Sequence, residues 1–214
     1  IAVIDVKTGA ISAVGGGRNL VARGTNTALD IKKQIGSTSK PIYDYAPGIE
    51  YENWSTYEPF TDEKYAYSDG TEINNWDVKY EGFLTARTAL AHSRNVSALK
   101  AFQANKNSNI LKFVKGLGLH PEESNGFVHE AHAIGGYNGE YPIAMAAAYS
   151  SFANGGYYVE PYSYTKVTFR QSGETVEKKV EKSRAMSEET AYMVYDMLIS
   201  SGKYGLGNQY NVNG

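Results

Sequence analysis

The sequence contains no cysteine. Disulfides, thiol catalysis and cysteine-ligated zinc are therefore excluded, while the compartment stays open. It has only four histidines, His92, His120, His129 and His132. His129 and His132 lack the i, i+4 spacing of a helical metal pair, so packing or surface roles are expected and no metal is assigned. Neither sign of charge dominates: 21 Lys and Arg against 23 Asp and Glu give a net charge of −2, and nothing points to nucleic acid as a partner. No apolar run approaches the roughly 18–20 residues that a membrane span needs. No signal peptide is visible, and Ile1 already reads as strand, so the chain is expected to begin at a cut end rather than a biological start. Gly15-Gly16-Gly17 is followed by no Gly-Lys-Ser/Thr and does not fit a phosphate loop. Glu122 and Glu123 are adjacent acids, but nothing marks them as a glycosidase pair.

What remains is an ordinary globular composition, 42% hydrophobic and 21% charged over 214 residues, enough for one domain or a large part of one. The 18 tyrosines are unusual. They suit half-buried positions, a groove for a polar polymer or a solvated sheet face. Ile1–Val6 and Ile11–Val14 read as a hairpin with Lys7-Thr8-Gly9-Ala10 as its turn. A helix is expected from Ser37 to Ala46, ended by Pro47-Gly48. Residues 48–80 carry no helical period and read as a long functional loop, with Trp54 and Trp76 arguing against disorder. Thr85 is placed to cap a helix through Ala91, and Asn95 to begin or cap the next, to Ala104. Further helices are expected at 108–116, from Pro142 past Phe152, and from Ser187 to about Ser200. Ser172-Gly173 reads as a hairpin turn between strands. This order of strands, helices and strands predicts an α+β fold.

The chemistry concentrates in two short motifs. In Gly36-Ser37-Thr38-Ser39-Lys40-Pro41, Ser37 and Lys40 are three apart and share a helix face. An amine beside a serine hydroxyl can take its proton and make it a nucleophile. Gly36 allows close backbone approach, Pro41 suits an early helical turn, and the peptide dipoles favour negative charge developing at Ser37. In Ser93-Arg94-Asn95, Ser93 can relay a proton and Asn95 can hold an amide through its donor and acceptor. Ser-x-x-Lys followed by Ser-x-Asn is the order found in penicillin-binding proteins and related β-lactamases. Together with Asn75-Trp76-Asp77 and the run from Ala146 through Tyr149 and Phe152 to Asn154-Gly155-Gly156, these motifs resemble the transpeptidase domain of class A, bifunctional penicillin-binding proteins over essentially the whole chain.

That resemblance implies a penicillin-binding-protein or serine β-lactamase-like fold, an antiparallel sheet flanked by a helical subdomain. It implies a serine D,D-transpeptidase that cross-links peptidoglycan stem peptides, with Ser37 as nucleophile, Lys40 as base, Ser93 as proton relay and Asn95 as substrate holder. Trp76 would wall the cleft, or be an ordinary buried tryptophan. No cofactor is implied. β-Lactams would acylate Ser37, and the setting would be the extracytoplasmic face of a bacterial membrane, anchored upstream. D,D-carboxypeptidase and non-catalytic β-lactam-sensor readings stay open on the same scaffold. The family's third motif, Lys-Thr-Gly, is expected on a strand after the last helix. Lys7-Thr8-Gly9 is read instead as a hairpin turn, so residues 1–214 are expected to form an incomplete transpeptidase domain lacking its C-terminal strands.

Overall fold

The computed structural model of the chain describes residues 1–18 and 23–210. The tail Asn211-Val212-Asn213-Gly214, where the sequence places the approach to a further strand, lies outside them. The first hairpin forms as expected. Strand β1 (Ala2–Ile4) pairs antiparallel with β2 (Ile11–Val14). Asp5 ties the turn by accepting from the Thr8 backbone N–H at 2.8 Å and the Thr8 hydroxyl at 2.7 Å. Gly9 takes φ +79°, and a Cβ there would fall 2.5 Å from Val159 Cγ1. Lys7-Thr8-Gly9 is thus explained by turn chemistry and close packing.

The Ser37 segment is helical but not uniformly α. Gly36–Ser39 is a 3-10 turn, Pro41–Tyr45 a π-helical turn, and α1 (Ala46–Tyr51) follows without a break. The expected stop at Pro47-Gly48 is corrected here: Pro47 lies in the first turn of α1. Proline has no N–H to return and crowds the carbonyl four residues back; the widened turn just before it accommodates both. Gly48 serves packing rather than termination, since a Cβ there would sit 2.0 Å from Trp54 Cε3.

Residues 48–80 are more ordered than the sequence suggested. They hold β3 (Pro59–Asp62), β4 (Tyr65–Ala66) and β5 (Glu72–Ile73), with β6 (Gly82–Thr85) beyond; β3 pairs with β6 and β4 with β5. The helical block is α2 (Ala86–Ala91), α3 (Asn95–Ala104) and α4 (Asn107–Gly116). Thr85 caps α2 as expected, its hydroxyl accepting from Thr88 N at 3.2 Å. A small hairpin, β7 (Glu123–Ser124) and β8 (Phe127–Val128), leads to a 3-10 turn, Glu130–Ile134, and to α5 (Pro142–Ala153). Then come β9 (Tyr157–Val159), β10 (Lys166–Thr168), β11 (Thr175–Glu177) and β12 (Lys182–Arg184). β10 and β11 form the expected hairpin, and β12 returns to β9. Helix α6 (Glu188–Tyr204) is capped by Ser187 and runs past the expected end, into a 3-10 turn, Leu206–Tyr210.

Among the described residues the strands occur as antiparallel pairs with the helices packed beside them. Helix α5 lies between β1 and β9 on one side and α6 on the other, while α2 rests on α6. The core runs from Tyr43 and Tyr45 through Leu99 and Phe113 to Phe152, Val194 and Met197. The π turn is therefore buried centrally, with Ser37 emerging at its end.

Candidate active site

Two packing contacts fix the turn that carries Ser37. Ser39 Oγ donates to Ala133 O at 2.9 Å, and Tyr149 Oη on α5 donates to Thr38 O at 2.8 Å. Gly36 at φ +53° lies directly against Gly135, where a Cβ would fall 2.3 Å from Gly36 O. Ser37 is left exposed. It opens into a cleft of about 360 Å³ walled by Leu90, Ser93, Tyr149 and, across from them, Leu198, Ser201, Leu206 and Gly207. The largest cavity, about 870 Å³ between Lys64–Glu72 and Gln103, Asn107 and Glu130, lies apart from Ser37.

Lys40, one turn deeper, is fully buried. Its Nζ donates to Ser93 O at 2.6 Å, Ser93 Oγ at 3.0 Å and Asn95 Oδ1 at 2.8 Å. Three acceptors match the three donors of an ammonium. Burial opposes them and dominates, lowering the Lys40 pKa to about 7; the nearby Asp44 charge works upward and the Arg94 charge downward. When neutral, Lys40 can keep donating to Ser93 O and Asn95 Oδ1 while its lone pair accepts the Ser93 hydroxyl proton. Among the described residues no hydrogen bond joins Lys40 Nζ to Ser37 Oγ, so the observed link runs from Lys40 to the second motif.

Ser93 points its carbonyl and hydroxyl at the same ammonium from a left-handed backbone, φ +52°. Such a conformation in a residue other than glycine costs about 1–3 kcal/mol and gathers at functional sites. Asn95 is the first residue of α3, as the expected span 95–104 has it, and the alternative of Asn95 as its cap falls away. Its side chain faces Lys40, and Asn75 supplies the cap from outside the helix, Oδ1 accepting from Asn95 N at 2.8 Å and Val96 N at 3.3 Å. Trp76 is 60% exposed, which removes the buried-core alternative. Its indole N–H donates to His92 O at 3.4 Å, beside the Ser93 turn.

Sequence reasoning passed over several residues near the site. Asp44 is fully buried, with no hydrogen-bond partner for either carboxylate oxygen, and burial holds its pKa well above the usual range. Its i+4 spacing from Lys40 was a readable signal. Arg94 is buried and paired with Asp62 at 2.9 Å, Glu81 at 3.1 Å and Asp77 at 3.2 Å. No local pattern announces those partners. His132 is buried and stacked on Tyr137, and the described residues contain no metal-competent cluster of His, Cys, Asp and Glu.

The fold thus brings the two motifs together at the buried Lys40, with Ser37 on the cleft beside them. The sequence profile of the penicillin-binding protein transpeptidase domain matches residues 1–214. The chain belongs to that family. It is 44% identical, over its whole length, to penicillin-binding protein 1A/1B of Bacillus subtilis, and 37% identical over 96% of its length to penicillin-binding protein 1A of Streptococcus oralis. It spans 23% and 33% of those proteins' lengths. Among solved structures, the D,D-transpeptidase domain of a peptidoglycan glycosyltransferase from Eggerthella lenta superposes with TM-score 0.80 at 18% identity, covering all of this chain and 63% of that one. The class A resemblance and the α+β fold class both hold.

Proposed function

We propose that this chain carries the acylating half of a serine D,D-transpeptidase acting on peptidoglycan stem peptides. Ser37 Oγ attacks the carbonyl of the penultimate D-alanine, its proton passing to Lys40. The C–O ester bond forms as the amide C–N bond breaks, and the terminal D-alanine leaves as an amine protonated through Ser93. An amine from a neighbouring stem then attacks the ester and completes the cross-link. Asn95 holds the substrate amide, and Trp76 lines the rim above it. The Ser37 backbone N–H is one oxyanion donor. The second would come from a strand carrying the family's Lys-Thr-Gly motif. β-Lactams would enter as stem-peptide mimics and remain as the Ser37 ester.

The observation that carries this reading is Lys40: fully buried, lowered to about 7, and hydrogen-bonded to both Ser93 and Asn95. That is the protonation a general base needs near neutral pH. Among the described residues no helix is long and apolar enough to cross a membrane. An extracytoplasmic setting, anchored by sequence upstream of Ile1, is part of the proposal and follows from the substrate. The test is labelling of the full-length protein with a fluorescent penicillin. One label per chain is expected, and none in Ser37→Ala; a Ser37→Ala protein that still labels would remove Ser37 as nucleophile.

A further inference from the structure

Asn75 belongs to none of the catalytic assignments, yet the second motif hangs from it. It is 3% exposed, and its side chain makes four hydrogen bonds. Oδ1 accepts from the first two backbone N–H groups of α3, on Asn95 and Val96. Nδ2 donates to Asp62 Oδ1 and to Lys79 O, both at 2.8 Å. The neighbouring Asn74 O accepts from Asn95 Nδ2 at 2.8 Å. Two consecutive residues therefore hold Asn95, one by its backbone and one by its amide nitrogen. Asn95 Oδ1 is the atom left over, and it meets Lys40 Nζ at 2.8 Å.

The clamp is itself braced. Asp62 Oδ2 accepts from Arg94 Nε at 2.9 Å and from Glu81 N at 3.0 Å. Val78 N closes the loop onto Asn75 O at 3.0 Å. Val78 sits at φ +56°, a left-handed conformation that is an outlier for a β-branched residue, although its side chain is 70% exposed and gains little from packing. Strain of this kind persists where surrounding bonds over-determine it. A rim loop needed only for cover would have no call for it.

We propose that Asn75 is a positioning residue for acyl transfer: held by Asp62 and Lys79, it fixes the start of α3 so that Asn95 Oδ1 stays on the Lys40 amine. The proposal rests on the reading of Lys40 as the base. Asp44 from its own helix and Arg94 from the turn before α3 also face Lys40, and Arg94 is in turn faced by Asp62, Asp77 and Glu81. An uncharged change at Asn75 leaves all of these in place.

The experiment is an NMR titration of Lys40 in the full-length protein, run beside the rate of acylation by a fluorescent penicillin. It compares the native protein with Asn75→Ala and the milder Asn75→Ser. Loss of the Asn95 Oδ1 acceptor disfavours the ammonium, so Lys40 is expected to titrate at lower pH in Asn75→Ala and less so in Asn75→Ser. Acylation should slow on the order of 10²-fold in Asn75→Ala, as for a displacement of about 1 Å in an active site. A residue that merely capped α3 would lower the melting temperature and leave Lys40 titrating as in the native protein; that result overturns the proposal. If Asn75→Ala does not fold, Asn75→Ser decides it by the same titration. A native protein that fails to label would instead sink the acyl-transfer reading, and the Lys40 titration would still judge Asn75.

Discussion

Lys40 gathers opposing influences whose balance sets the working pH of the site. Burial, the dominant influence, and the Arg94 charge favour the free amine; three hydrogen-bond acceptors, and Asp44 when it is ionised, favour the ammonium. A base must be unprotonated to act, so activity is present above the folded pKa and lost as pH falls through it. Acylation of the full-length protein by penicillin is therefore expected to show an acidic limb centred near pH 7, where Lys40 is placed, falling about tenfold per pH unit below it. A profile flat from pH 5 to pH 9, in roughly the range where His and perturbed Lys titrate, would take Lys40 out of the base role. Ser37 and Lys40 were legible as a pair because residues three apart share a face on a 3-10 or an α turn. The partners that tune Lys40 were less so, since Ser93 and Asn95 reach it from more than 50 positions away.

At the scale of elements, glycine placement decides whether the turn carrying Ser37 can form. The Gly36–Ser39 turn sits against the left-handed Gly135 that ends Glu130–Ile134. At Gly135 a side chain meets both a forbidden φ of +74° and the Gly36 backbone at 2.3 Å. Gly135→Ala is expected to destabilise the protein by about 1–3 kcal/mol and to slow penicillin acylation, read by denaturant melts and labelling rates. Unchanged values for both would show that the contact does not hold Ser37 in place. Most helices and hairpins here were readable: Thr85, Ser187 and Pro142 open helices, and Ser172-Gly173 turns a hairpin, all by local chemistry. One stop signal misled. Pro47-Gly48 reads as a stop, but a π turn before it and Trp54 beside it keep the helix going. The start of α3 at Asn95 was legible, while its cap, Asn75, lies 20 residues earlier and carries no local signal.

At the scale of the molecule, the helices bury the amine end of the site while the serine faces a cleft closed by the end of α6 and the turn after it. The strand-then-helix order was enough to predict the α+β class, since amphipathic helices and short alternating strands announce their buried faces. The pairing of β9 with β12, across the β10–β11 hairpin, was not, because a strand's partner is set by tertiary packing rather than by its own sequence. The central claim is that one serine, Ser37, is the acylated residue. It is tested most directly by digesting the full-length protein after incubation with penicillin and locating the adduct by mass. The account predicts one antibiotic mass added, on the peptide carrying Ser37 and Lys40; an adduct on any other peptide, or none, would contradict it.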